Sequence, residues 1–234
     1  SGLQNLQTGQ QVVCLYEGEA EKIELLDALL SHAIESRLKT VCLLSEEDQM
    51  ELVRSLQQHH PSAEALVRKG ALAFLLSEEV GVAGRGGRSL DDLRAFIETA
   101  ARRALAQGYS GLCCLMVMDS FLSSELSDDL LLAHEMALRR SPAAPSSLVV
   151  ACYPRDTKRT QLLFEVLRRP NWLMFRESGS STIRLLPASV VADASRNSAA
   201  LAQMVETLTA TSGAMEPSQQ ILSSSGPGRE HVPT

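Results

Sequence analysis

Aromatic side chains are scarce in this chain: they make up 4% of its 234 residues, with a single tryptophan, Trp172. Proteins that bind single-stranded nucleic acid stack bases on aromatic rings, so this shortage disfavours that class. A basic stripe is missing as well. The net charge is −6, and the densest basic stretch, Arg85, Arg88, Arg94, Arg102 and Arg103, is diluted by Asp91, Asp92 and Glu98. It reads as a solvated helix face, and no direct contact with nucleic acid is expected. No apolar run reaches the roughly 18 residues of a membrane span, so no membrane contact is expected either.

Among the five cysteines (Cys14, Cys42, Cys113, Cys114 and Cys152) there is no C-x-x-C pair, and each sits in an apolar run. An odd number of cysteines in apolar segments predicts reduced, buried thiols and a cytoplasmic location. Metal-ligand spacing is also lacking. His134-Glu135 would need a second histidine where Leu138 stands, and predicts instead a polar contact with a neighbouring element. His59-His60 reads as surface. There is no G-x-S-x-G elbow, and neither Cys14 nor Cys152 has a basic neighbour in sequence to activate it. No catalytic residue, metal or cofactor is expected.

What is present is an alternation of short apolar runs with amphipathic stretches. Apolar composition is 44% and charged 21%, enough for a sizeable core. Strands are predicted over residues 11–16, 40–44, 72–76, 112–118 and 148–152, with a closing pair of edge strands at 172–175 and 182–186. Helices are predicted over 19–37, 46–59, 63–69, 90–107, 124–140 and 157–168, with Ser45 and Ser89 as N-caps and Gly70 and Gly108 as terminators. Such alternation implies right-handed βαβ units: an α/β fold with a mainly parallel central sheet and helices on both faces. Residues 1–188 read as one domain, 189–212 as an amphipathic helix (Leu201, Met204, Val205, Leu208) and 213–234 as a polar tail or linker.

The first strand–turn–helix is where a phosphate-binding loop would sit in such a fold. The turn runs Tyr16-Glu17-Gly18-Glu19-Ala20-Glu21-Lys22-Ile23. A working loop needs several glycines to wrap phosphates with backbone N–H groups, and a Ser or Thr after the lysine to hold magnesium. Here Ile23 follows Lys22, one glycine is present, and Glu17, Glu19 and Glu21 would repel phosphate. The turn reads as a solvent-facing helix start. The run Leu115-Met116-Val117-Met118-Asp119 has the form of a magnesium-holding strand, but without a phosphate loop Asp119 reads as a cap of the following turn. Open α/β sheets bind ligands at the carboxyl ends of their strands. Tyr16, Glu17, Gly18, Asp119, Ser120, Cys152 and Tyr153 are therefore the candidate ligand-binding residues, and the glycine loop Gly84-Arg85-Gly86-Gly87 is a candidate lid.

The order of four short segments carries a resemblance. Val13-Cys14-Leu15-Tyr16-Glu17, then residues 106–112, then His134-Glu135-Met136-Ala137-Leu138 and finally Val149-Val150-Ala151-Cys152-Tyr153 resemble the MEDS family, over about residues 9–178. The sensory domain of that family is named from methanogens, methylotrophs and the dichloromethane regulator. The chain departs from the family pattern in having no histidine just before the first strand, and Gly-Arg-Gly-Gly in place of an aromatic-acid turn. The resemblance implies a three-layer RecA/KaiC-like core with degraded nucleotide motifs. It also implies a signalling input domain that binds a small molecule or protein partner and acts on a transcriptional or kinase-type output module. An assembly module that forms homo-oligomers on an inactive ATPase core is the second expectation, and a divergent ATPase the third.

Overall fold

The structure, a computed structural model, describes residues 2–59, 63–77, 89–167, 172–176 and 182–186. The candidate lid (residues 84–87) and both segments assigned beyond residue 188 lie outside these residues.

The apolar runs form seven strands: β1 (Gln11–Tyr16), β2 (Leu38–Leu44), β3 (Leu72–Leu76), β4 (Gly111–Val117), β5 (Ser147–Pro154), β6 (Trp172–Arg176) and β7 (Ile183–Leu186). They make one sheet in the order β3-β2-β4-β5-β1-β6-β7. Every pairing is parallel except β6 with β7. The last two strands were expected as an edge pair. Only β7 is at the edge, because β6 joins β1 in parallel through Val12↔Trp172 to Leu15↔Phe175.

Side-chain alternation divides the core in two. Val12, Cys14, Tyr16, Cys42, Leu44, Cys113 and Cys152 face one side, where they meet Leu25, Leu26, Leu29 and Leu30 of helix α1 (Gly18–Glu35) and Leu52 and Leu56 of α2 (Glu46–His59). The short helix α3 (Ala63–Arg68) adds Ala63 to the same layer. Val13, Leu15, Val41, Leu43, Cys114 and Tyr153 face the other side. There they meet α4 (Leu90–Ala106), α5 (Asp119–Ser123), α6 (Asp128–Arg139) and α7 (Thr160–Leu167). All five cysteines are buried and free. Burial raises the thiols of Cys42, Cys113 and Cys114, the last to about 12, which keeps them protonated and inert.

The caps act as the sequence suggests. Ser45 Oγ accepts from the Asp48 N–H at 3.0 Å, and Ser89 forms a full capping box with Asp92. The helix predicted over 124–140 begins only at Asp128, where Ser127 caps α6, and residues 119–123 before it form the separate short helix α5. Gly111 opens β4 where the chain passes close to its neighbours: a Cβ there would lie 2.5 Å from the Ser146 carbonyl oxygen.

Candidate functional site

All six parallel strands point the same way, so their carboxyl ends share one edge, and the turns leaving them carry charge. The β1–α1 connection is a single residue, Glu17: β1 ends at Tyr16 and α1 begins at Gly18, whose φ of +71° turns the chain. A phosphate loop needs a run of backbone N–H groups facing an anion. Here the Glu17 N–H donates to Glu21 Oε2 at 3.2 Å, so a carboxylate of the protein already takes that place.

Lys22 is 3% exposed. The expectation of a wholly solvent-facing helix start is corrected: Glu17 and Glu19 face water, but Lys22 points inward. Its ammonium lies 2.5 Å from Asp48 Oδ1, 2.6 Å from Glu19 Oε2 and 3.3 Å from Asp119 Oδ2. Burial pulls the ammonium toward the neutral form, but the Asp48 and Glu19 carboxylates, with Asp119 behind them, override it and hold Lys22 above the ordinary lysine value. Asp48, itself 3% exposed, belongs to the first turn of α2.

Asp119 is also placed differently from expectation. It is the first residue of α5, after a Met118 N-cap position with no side-chain capping bond, and its carboxylate turns to β1 instead of capping. The Tyr16 hydroxyl donates to Asp119 Oδ1, and the Lys22 ammonium reaches Oδ2. β5 separates β1 from β4, so this bridge passes over the end of a strand. Burial, reinforced by the Asp119 carboxylate, raises the Tyr16 phenol and keeps it a donor. Beside Asp119, the Ser120 hydroxyl accepts from Ser77 at the end of β3, at 2.8 Å.

A second cation organises the other half of the edge. Arg155, just past β5, is 6% exposed. Its backbone N–H donates to the Tyr16 carbonyl at 2.9 Å. Its guanidinium lies 3.7 Å from Glu17 and 3.1 Å from Glu21, and donates to the Arg176 carbonyl at 2.7 Å. Burial raises the Glu21 carboxyl, and Arg155 opposes the rise. Five carboxylates (Glu17, Glu19, Glu21, Asp48 and Asp119) thus surround two cations, Lys22 and Arg155. That balance opposes a phosphate chain.

The seven candidate residues divide between two faces. Tyr16, Glu17, Gly18, Asp119 and Ser120 gather at the carboxyl edge. Cys152 lies beneath them, buried on the same face and paired in register with Cys14. Its thiol beside Cys14, together with burial, raises the Cys14 pKa well above the ordinary thiol value. Tyr153, one residue on, faces the opposite layer and does not reach this edge. Its hydroxyl donates to Glu135 of α6 at 2.9 Å, the polar contact expected of His134-Glu135. Burial, with Glu135, raises Tyr153 well above the ordinary phenol value. His134, beside it, is buried with Nε2 unpartnered, and burial lowers its pKa to about 4.

Sequence reasoning missed Asp48 and Arg155, and gave Lys22 no role. One signal was available for two of them. Lys22 heads the buried stripe Leu25, Leu26, Leu29, Leu30 of α1, and Asp48 heads Asp48, Leu52, Leu56 of α2. A charged side chain at the head of an apolar stripe is carried into the core with it. Among the described residues no group of three or more His, Cys, Asp and Glu side chains is arranged to hold a metal ion.

The parallel sheet and its two helical layers form a RecA/KaiC-like fold. The crystal structure of a KaiC-like protein from the hyperthermophilic archaeon Pyrococcus horikoshii OT3 matches the fold with a TM-score of 0.52 and 14% identity, over 78% of this chain and 81% of that one. The chain belongs to the MEDS family, the methanogen/methylotroph, DcmR sensory domain, which matches residues 12–169. Comparison with curated proteins by sequence finds no match.

Proposed function

We propose that this chain is a non-catalytic sensory domain whose carboxyl edge binds a small molecule or a protein partner and passes that event to a transcriptional or kinase-type output module. The observation that carries this reading is the state of Lys22. The lysine that a nucleotide-binding turn would offer to phosphates is buried and held by Asp48, Glu19 and Asp119. With the one-residue β1–α1 connection, this leaves the RecA-like frame without its anion cradle. The exposed part of the edge is Glu17, Gly18, Asp119 and Ser120, over a buried floor of Tyr16 and Cys152. Membership of a sensory-domain family supports the signalling role.

Because the ammonium and the Tyr16 hydroxyl both converge on Asp119, a ligand that engages Asp119 competes with Lys22 and Tyr16 and shifts α1 against α5. This is a population shift of a few kcal/mol, not chemistry. A thermal-shift panel of cellular metabolites tests the reading. A ligand at one hundred times its dissociation constant stabilises by about 2.7 kcal/mol, and Asp119→Ala removes that stabilisation. Undiminished stabilisation in Asp119→Ala would place the site elsewhere.

One observation favours assembly as a second role. β3 reads LAFLL, has no outer neighbour among the described residues and carries no charge, and Val67 of the adjacent α3 is exposed. Apolar edge strands without gatekeepers invite pairing. Light scattering tests it: a dimer that a lysine at Ala73 abolishes supports assembly through this edge, and a concentration-independent monomer refutes it.

A further inference from the structure

At the amino-terminal end of the sheet, away from the Lys22 edge, lies a cleft of about 340 Å³. This falls within the ~300–1,000 Å³ typical of small-ligand pockets. Leu30 and Ile34 of α1, Leu66 of α3, and Leu38 and Leu72 at the starts of β2 and β3 give it apolar walls. Thr40 also lines it. On β2, Leu38, Cys42 and Leu44 face the α1 side, so Thr40, in phase with them, points to that side too. Thr40 is 2% exposed, and its hydroxyl has no hydrogen-bond partner. A buried hydroxyl left unpaired is costly, and here it belongs to a residue that lines a cavity large enough to hold a partner.

The mouth is polar. Arg37, Gln107 and Tyr109 line it. The Gln107 side-chain oxygen is occupied, since Lys39 Nζ donates to it at 2.9 Å. Arg37 forms no ion pair among the described residues. Its backbone is fixed at φ +56°, with its N–H bonded to the Ile34 carbonyl and its own carbonyl accepting from the Ser110 N–H, both at 3.0 Å. The cleft therefore has an uncompensated guanidinium at its entrance, an apolar body and a hydroxyl seeking a partner within.

We propose that this cleft is a second binding site, for a small carboxylic acid with a compact apolar body and a hydroxyl or keto oxygen at its far end. The carboxylate meets Arg37, the body fills the space between Leu30, Leu66 and Leu72, and the distal oxygen bonds the Thr40 hydroxyl. The site is independent of the reading given for the carboxyl edge.

Three probes of one shape separate the contributions: 4-hydroxybenzoate, benzoate without the distal hydroxyl, and 4-hydroxybenzamide without the charge. Titration into the full chain, followed by amide NMR, is expected to shift resonances of residues 30–40, 66–72 and 107–109, with 4-hydroxybenzoate tightest. Arg37→Gln lowers its affinity about tenfold, to that of the amide. Thr40→Val lowers it to that of benzoate and leaves benzoate unchanged. Arg37→Gln alters only an exposed side chain and Thr40→Val keeps the shape of a buried one, and unperturbed spectra of the free variants check that both fold. Shifts remote from the cleft, no saturation with any of the three probes, or wild-type affinities in both variants would overturn the proposal and leave a cleft that holds water.

Discussion

Two tyrosines, Tyr16 at the end of β1 and Tyr153 near the end of β5, perform the same local act on opposite faces of the sheet. Each is buried, and each donates its hydroxyl to a carboxylate on a helix. The carboxylates differ. Glu135 is buried, with Arg139 3.9 Å away on the same helix. Asp119 keeps 34% of its side chain exposed and shares Lys22 with Asp48 and Glu19. The first pair ties α6 to β5 in a sealed layer. The second ties three elements together at an edge that solvent reaches. The difference teaches that the same tyrosine–carboxylate bond can seal a layer or stand at an open edge, according to the exposure of its carboxylate and what else competes for it.

Perturbations of the two sides should differ in size. The largest effect is expected from Lys22→Met, which strands the buried Asp48 carboxylate and should cost about 3–5 kcal/mol in urea unfolding. Lys22→Met combined with Asp48→Leu should recover most of that loss, because an apolar pair needs no compensation. If the single variant were neutral, the cluster would not hold the edge together.

The next effect belongs to the sealed side and depends on pH. His134 titrates near 6.5 when unfolded and at about 4 when folded, because burial disfavours the imidazolium. The unfolded chain therefore binds the extra proton first. Above pH 6.5 the ring is neutral in both states and adds no pH dependence; stability then falls as pH drops from 6.5 to 4, by about 3 kcal/mol in all. His134→Met should flatten that part of the stability profile relative to wild type. Parallel profiles would mean that the ring is hydrated.

Third come the hydroxyls themselves. Tyr153→Phe removes a buried bond to a carboxylate and should cost about 1.5–3 kcal/mol. Tyr16→Phe should cost about 1 kcal/mol or less, because water can reach Asp119 in its place. Equal costs would erase the distinction between the two sides.

The fold was largely legible because its signals are local and repeated. Fully apolar runs such as residues 112–117 mark strands covered on both faces, and Ser45 and Ser89 mark helix starts. The position of β6 was not legible, since a short run such as Trp172–Arg176 carries no record of which neighbour it will pair with. The carboxyl edge was half legible. Strand ends point to Tyr16, Glu17, Asp119 and Ser120, but the same rule also brings in Tyr153, because position along a strand does not by itself give the face. Lys22, Asp48 and Glu135 show what counting charges misses. Each sits on the buried stripe of its helix, so stripe position and not charge decides that it enters the core. Arg155 had no such sign, since its partners Glu17 and Glu21 are more than a hundred residues away in sequence.

The most direct test of the carboxyl edge is calorimetric titration of the full chain with ATP and magnesium, beside Lys22→Met combined with Asp48→Leu. With Lys22 held by carboxylates and Glu21 on the Glu17 N–H, no saturable heat is expected from either protein at millimolar nucleotide. Saturable binding by the wild type that disappears in the double variant would contradict it.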